Sequence, residues 1–266
     1  MTPDQLRTRF RDLHEGSELF VMPNPWDVGS ARILERQGFP ALATTSSGFA
    51  WSIGLLDGQV DLPTLAAHVA AITAAVDIPV SVDAERCFAE TPEDIAATVD
   101  ALADAGAAGF SIEDWDPATA SIDPLETSVA RVEAAVAAAE RHGMVVTARA
   151  EGLLRGVGDL DDALRRLTAF GDAGAECLYA PAVRSVDDIG RVVSELDRAV
   201  NVLLVPGVPT LADLAALGVR RISTGGGLAR AAYGALITTG DQLLIGDSSY
   251  VSTAPPSQEI SPLIER

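Results

Sequence analysis

Three short acidic sequences hold the side chains best suited to chemistry. Val80-Ser81-Val82-Asp83-Ala84-Glu85, Phe110-Ser111-Ile112-Glu113-Asp114 and Thr147-Ala148-Arg149-Ala150-Glu151 each run from apolar residues into carboxylates, and the last adds an arginine. Carboxylates gathered at one place repel one another unless some are protonated or a cation lies among them. An all-oxygen donor set suits Mg2+ or Mn2+ better than zinc. The plainer alternative is that these acids cap helices or pair with surface arginines. Convergence from three neighbouring strands favours the cation.

The rest of the composition removes whole classes of chemistry. The 266 residues hold 38 acidic and 19 basic side chains, a net charge of −19, and all 19 basic residues are Arg. Without a lysine there is no Schiff-base aldolase, no pyridoxal-phosphate enzyme and no Walker-type phosphate loop. So acidic a chain lacks the basic stripe that a nucleic-acid partner needs. Cys87 and Cys177 form no CxxC pair, and His14, His68 and His142 fall in helical stretches, which argues against zinc knuckles, disulfides and a Ser-His-Asp triad. The amino-terminal residues are charged and amphipathic, and no stretch approaches the ~20 apolar residues of a membrane span, so a cytoplasmic protein is expected.

The elements that must position these residues repeat one pattern, a short apolar run, a turn, then an amphipathic helix. The runs are Leu19–Pro23, Ala41–Thr45, Pro79–Asp83, Gly109–Glu113, Val145–Arg149, Cys177–Ala180, Val202–Val205 and Arg221–Thr224. Continuously apolar strands alternating with helices predict a parallel sheet buried on both faces. About eight such units in about 250 residues predict an α/β fold, a single (β/α)8 barrel of the TIM type with an added amino-terminal helix. A doubly wound open sheet is the alternative. It is disfavoured because the turn after the first run is Asn24-Pro25-Trp26-Asp27 and not GxGxxG. Gly225-Gly226-Gly227 is either an anion cradle or a tight barrel turn. Residues 1–246 are read as the catalytic barrel. Residues 247–266 form a tail, with a short helix ending at Arg266, that frays, docks on a neighbouring subunit or is swapped with it.

Several stretches resemble the isocitrate lyase/phosphoenolpyruvate mutase superfamily, in order from about residue 18 to about residue 240. They are MPNPWDVGSARILERQGFPALATTSSG, VSVDAERCF, GFSIEDWDP, TARAEGLL, LLVPG and RRISTGG. The resemblance implies a Mg2+-dependent barrel, usually a dimer or tetramer, that breaks or rearranges a C–C or P–C bond beside an enolate. Its substrate would be a small 2-oxo or 2-hydroxy carboxylic acid or a phosphonate. Asp83 resembles the principal metal-site acid, Glu85 and Glu113 the acids that hold the ion partly through water, and Asp57 a further acid near it. Arg149 resembles the arginine that grips the substrate carboxylate and the developing enolate. Ser46, Ser47 and Gly48 resemble the turn whose amides bind the same carboxylate, and Trp26 and Asp27 the aromatic–acid pair after the first strand.

The departures from the family pattern are also specific. The Lys-Lys/Arg-Cys-Gly-His loop of the lyases is replaced by Asp114-Trp115-Asp116-Pro117-Ala118-Thr119-Ala120, and the lysine and asparagine of the mutases are missing from the same place. Isocitrate cleavage by the cysteine mechanism is therefore not expected. Cys87 is either a substitute proton donor facing the site or an inert buried thiol. Arg86 either binds a second anionic group or neutralises Glu85. The resulting expectation is a short-loop lyase or mutase working through an enolpyruvate-like intermediate. A true P–C mutase and a catalytically silent barrel that binds a 2-oxo acid are the alternatives.

Overall fold

The computed structural model describes residues 1–265. Eight parallel strands form the barrel: Phe20–Met22, Leu42–Ala43, Val80–Asp83, Gly109–Glu113, Val145–Arg149, Cys177–Tyr179, Ala199–Leu203 and Arg221–Ser223. In chain order of these eight, the neighbours run 1-8-7-6-5-4-3-2, every pair parallel. The remaining seam, between the first and second strands, is drawn shut by Ala43 N donating to Pro23 O (3.1 Å) and by Asn24 Nδ2 donating to Thr44 O (2.8 Å). This is the TIM-type architecture that the alternation predicts.

Local signals explain where elements stop. Four helices run out into glycine, and Gly38, Gly106, Gly143 and Gly174 all take the left-handed φ that a side chain resists. The amino-terminal helix Pro3–Glu15, closed by a Thr2–Gln5 capping box, plugs the bottom of the barrel with Phe10. Gly109 is needed there, because a Cβ on it would lie 2.6 Å from Val145 O and 2.8 Å from the Phe10 ring.

Three segments differ from the sequence expectation. The seventh strand is Ala199–Leu203, three residues ahead of the expected Val202–Val205. Its apolar run is interrupted by Asn201, which is buried because its amide donates to Ser223 Oγ (2.9 Å) and its carbonyl accepts from Arg221 Nε (2.9 Å). The last barrel helix spans Gly227–Leu244, although Gly234 and Gly240 weaken its propensity. A further helix, Ser46–Ser52, and a small hairpin, Trp115–Asp116 with Ser121–Ile122, follow the second and fourth strands.

Beyond the last barrel helix, helix Ser257–Ile264 returns to helix Val28–Arg36 of the same chain. Arg32 Nη1 donates to Ile264 O (2.8 Å) and Arg36 Nη2 to Glu265 O (2.9 Å). Arg266, the expected end of that helix, lies outside the described residues. No helix among those residues is long and apolar enough to cross a membrane.

Candidate active site

A cavity of about 660 Å³ opens at the carboxyl ends of the strands and reaches down between them to Arg221. Its centre is Arg149, the last residue of the fifth strand. Register places Arg149 opposite Glu113 on one side and Tyr179 on the other. The guanidinium meets three carboxylates: Asp83 Oδ1 at 2.7 Å, Glu113 Oε2 at 2.9 Å and Glu151 Oε1 at 2.8 Å. Its carbon also stands 5.5 Å from the centre of the Tyr179 ring. Burial alone would favour the neutral form of Arg149, but Glu151, Glu113 and Asp83 more than reverse this, so it stays charged.

Three carboxylates crowd this guanidinium, and the next cation, Arg155, reaches two of them only at 3.8 and 3.9 Å. Burial raises the Glu113 carboxyl above the usual range, with Arg149 opposing the rise and Glu151 and Asp83 adding to it. Burial likewise pushes Glu85 up to about 7, helped by the charges of Asp83 and Asp57. Glu151 is fully buried, and its Oε2 has no hydrogen-bond partner among the described residues. Such an acid-rich centre favours a proton, a cation or a donor from a ligand.

Each acid is set by its own element. Asp83 ends the third strand, where its N–H donates to Thr44 Oγ1 (2.9 Å) and its Oδ2 accepts from Ser46 N (3.2 Å). Glu151 follows Arg149, and its N–H donates to Asp114 Oδ1 (2.8 Å), itself anchored by Arg166 Nη1 (3.2 Å). Glu85 sits in a strained turn in which Glu85, Cys87 and Phe88 all take left-handed φ values, of 48°, 62° and 50°. Such strain persists only where the surroundings hold it. Here the strut is Arg131, buried in helix Leu125–Glu140, which donates to the carbonyls of Arg86 (2.6 Å), Ala89 (2.9 Å) and Glu90 (3.3 Å).

The structure brings Asp57, Asp83, Glu85, Glu113, Arg149, Ser46 and Ser47 to the cavity wall. Other candidates stand elsewhere. Cys87 does not face the cavity: the turn directs its thiol into the main apolar core, where burial pushes it up to about 12. Trp26, Asp27 and Gly48 are also outside the lining. Asp27 caps helix Val28–Arg36 through Ser30 N (2.7 Å), and Gly48 packs so closely on Thr45, Trp26 and Ala229 that a Cβ would clash. Arg86 pairs with Asp123 through two hydrogen bonds of 2.8 and 3.1 Å, not with Glu85. The Gly225–Gly227 run is a turn tied to Asn24, whose Oδ1 accepts from Thr224 N (2.8 Å) and Gly225 N (2.9 Å).

Sequence reasoning missed Arg155, Trp115, Tyr179, Asn201 and Arg221, all of which line the cavity. The polar interruptions Asn201 and Arg221 inside otherwise apolar strands were the available signal for the last two.

For a divalent ion the donor chemistry fits: Asp57, Asp83 and Glu85 are hard oxygen donors, and burial together with the charges of Asp83 and Asp57 raises Glu85. Among the described residues no three His, Cys, Asp or Glu side chains are arranged to enclose an ion by themselves. A Mg2+ ion there would take one or two of these carboxylates directly and keep several waters.

A parallel barrel with its titratable groups at the carboxyl rim belongs to the (β/α)8 enzyme architecture. The sequence profile of the phosphoenolpyruvate phosphomutase family matches residues 10–244. A crystal structure of a lyase/mutase candidate from Burkholderia cenocepacia J2315 superposes with a TM-score of 0.94 at 41% identity, covering 99% of this chain and 97% of that one. An uncharacterized protein of Mycobacterium tuberculosis is 37% identical over 88% of this chain and 90% of its own length. An oxaloacetate decarboxylase of Paraburkholderia xenovorans is 30% identical over 99% of this chain and 90% of its own. The chain belongs to the phosphoenolpyruvate phosphomutase family, within the isocitrate lyase/phosphoenolpyruvate mutase superfamily of lyases and mutases that act on small carboxylates.

Proposed function

We propose that the protein is a Mg2+- or Mn2+-dependent lyase that breaks a C–C bond in a small 2-oxo acid, with a four-carbon dicarboxylate such as oxaloacetate as the favoured substrate. The observation that carries this reading is the single guanidinium of Arg149 held among Asp83, Glu113 and Glu151 at the cavity centre. The similarity to an oxaloacetate decarboxylase along nearly the whole chain supports the substrate class.

Asp83 would hold the ion directly, and Glu85 and Glu113 through water, with Asp57 beside them. The bound ion would supply Lewis-acid polarisation of the 2-oxo group. Arg149 has a planar fork that meets a carboxylate with two parallel hydrogen bonds and donates to the enolate oxygen as charge develops there. The electron pair of the C3–C4 bond would remain on C3 and be delocalised to the 2-oxo oxygen as CO2 leaves, and a proton from solvent would then complete pyruvate. Ser46 and Ser47 face the same end of the ligand. The hairpin carrying Trp115 and Asp116 walls one side of the cavity and limits water. Cys87, buried in the core, has no part in the proton transfers.

A second copy of the chain is the expected partner. Leu236, Ile237, Leu243, Leu244 and Ile245 are exposed on and just after the last barrel helix, an apolar surface that a homo-oligomer would cover.

The test offers oxaloacetate, phosphonopyruvate, methylisocitrate and dimethylmalate with Mg2+ and follows pyruvate. Release from oxaloacetate supports the reading. Release only from phosphonopyruvate would make this a P–C bond enzyme, and tight oxalate binding with no turnover a silent binder.

A further inference from the structure

The four arginines that line the cavity differ in what they are already holding. Arg149 is held by three carboxylates within 3 Å, and Arg86 is forked onto Asp123. Arg221 lies buried at the floor, donating to the neutral acceptors Asn201, Thr147 and His14. Arg155 is the exception. Its guanidinium approaches Glu151 and Glu113 only to 3.8 and 3.9 Å and donates no hydrogen bond among the described residues.

Arg155 is nonetheless held in place. It stacks 4.4 Å above the centre of the Trp115 ring, a cation–π contact that fixes the plane of the guanidinium and leaves its N–H edge free. The turn that carries it is also rigid. Gly152 comes so close to Val157 that a Cβ would lie 2.6 Å from Val157 O, and Val157 N donates back to Gly152 O (2.8 Å). Glu113 stands between the two guanidinia, with Oε2 toward Arg149 and Oε1 toward Arg155. The two cations are therefore separated by one carboxylate, a small-molecule distance. A second anionic group entering this mouth meets Asp57, Glu85 and Asp116, and Arg155 is the cation there whose guanidinium reaches its nearest carboxylates only at 3.8 and 3.9 Å and donates no hydrogen bond among the described residues.

We propose that Arg155, seated on Trp115, is a subsite for the second carboxylate of the substrate, so that the cavity takes 2-oxo dicarboxylates in preference to monocarboxylates. The inference rests on the reading of Arg149 as the anchor for the first carboxylate. Arg155 is a specificity residue: it reads the second carboxylate of the diacid, beyond the 2-oxo end that Arg149 grips.

The test is calorimetric binding, with Mg2+ present, of oxalate and of 3,3-difluorooxaloacetate to the wild-type chain, Arg155→Ala and Arg155→Lys. Oxalate has no distal group, and the fluorinated diacid has one. Because Arg155 is exposed, both variants should fold. The expected result is a loss of roughly ten- to a hundredfold for the diacid in Arg155→Ala, the scale of a charge-assisted hydrogen bond, with oxalate changed by no more than about threefold. Arg155→Lys should recover part of the loss, keeping the charge without the fork. Equal losses for both ligands would overturn the proposal and make Arg155 a support for Glu113. An unchanged preference for the diacid would overturn it as well, while leaving the functional reading intact. Binding of neither ligand to the wild-type chain would overturn that reading and this inference with it.

Discussion

The two ends of the barrel hold their buried charge in opposite ways. At the rim, Arg149 is crowded by Asp83, Glu113 and Glu151, more negative charge than it can balance. At the floor, Arg221 is more deeply buried and meets no carboxylate: its Nε donates to Asn201 Oδ1, and its Nη1 lies 3.0 Å from both Thr147 Oγ1 and His14 Nε2. His14 can accept from Arg221 only while neutral, with its Nδ1 hydrogen on Phe10 O (2.8 Å). The floor is satisfied by its own dipoles and closes the fold. The rim crowds its carboxylates around one close guanidinium, which is the condition expected of a site.

The largest effect should come from removing the acid that both Arg149 and the ion would share. Asp83→Ala is expected to abolish Mg2+ binding in calorimetry and to slow turnover by roughly 10³–10⁵-fold, with an unchanged thermal unfolding profile, since relieving crowded carboxylates rarely destabilises. Retained Mg2+ affinity would move the ion elsewhere on the rim.

Arg149→Lys keeps the charge but loses the fork. Steady-state kinetics should show turnover falling by roughly 10²–10³-fold with a smaller change in KM, the size of a lost oxyanion donor. A raised KM with turnover unchanged would make Arg149 an anchor for ground-state binding alone.

The floor predicts a pH effect on stability. Burial, with the charge of Arg221 next, holds His14 down at about 3 in the folded chain, against 6.5 when free. The unfolded chain therefore takes the proton first. This contribution to stability is fully present above pH 6.5 and declines as pH falls from there toward 3, by at most about 1.4 kcal/mol per pH unit. Denaturant titrations of His14→Gln should show a shallower decline than the wild type over that window, and parallel curves would remove His14 from the account.

The smallest effect on the chemistry should follow from removing the tail from Asp247 onward. Sedimentation should show weaker assembly if the tail docks across a subunit boundary, and an unchanged profile would show that it serves only its own chain, where it packs on helix Val28–Arg36.

Much of this molecule was legible in its sequence because the rules involved are local. Apolar runs matched six of the eight strands to within a residue at each end, and the three acidic strand ends led to the cavity. What escaped depends on partners distant in sequence. Asn201 shifted the seventh strand because Ser223 and Arg221 make a polar residue acceptable inside the barrel. Cys87 looked like a site residue by position, and only the left-handed turn held by Arg131 decides that it points into the core. Arg155 carried no signal at all, since its importance lies in what it fails to pair with.

The central claim is that the rim is a cation-dependent site for a 2-oxo acid, and oxalate binding tests it most directly. Calorimetric titration of oxalate into the wild-type chain with and without Mg2+, repeated for Asp83→Ala, is predicted to show tight binding only for the wild type with Mg2+. Equal affinity in all of these conditions would contradict the account and leave the carboxylates around Arg149 as a structural cluster.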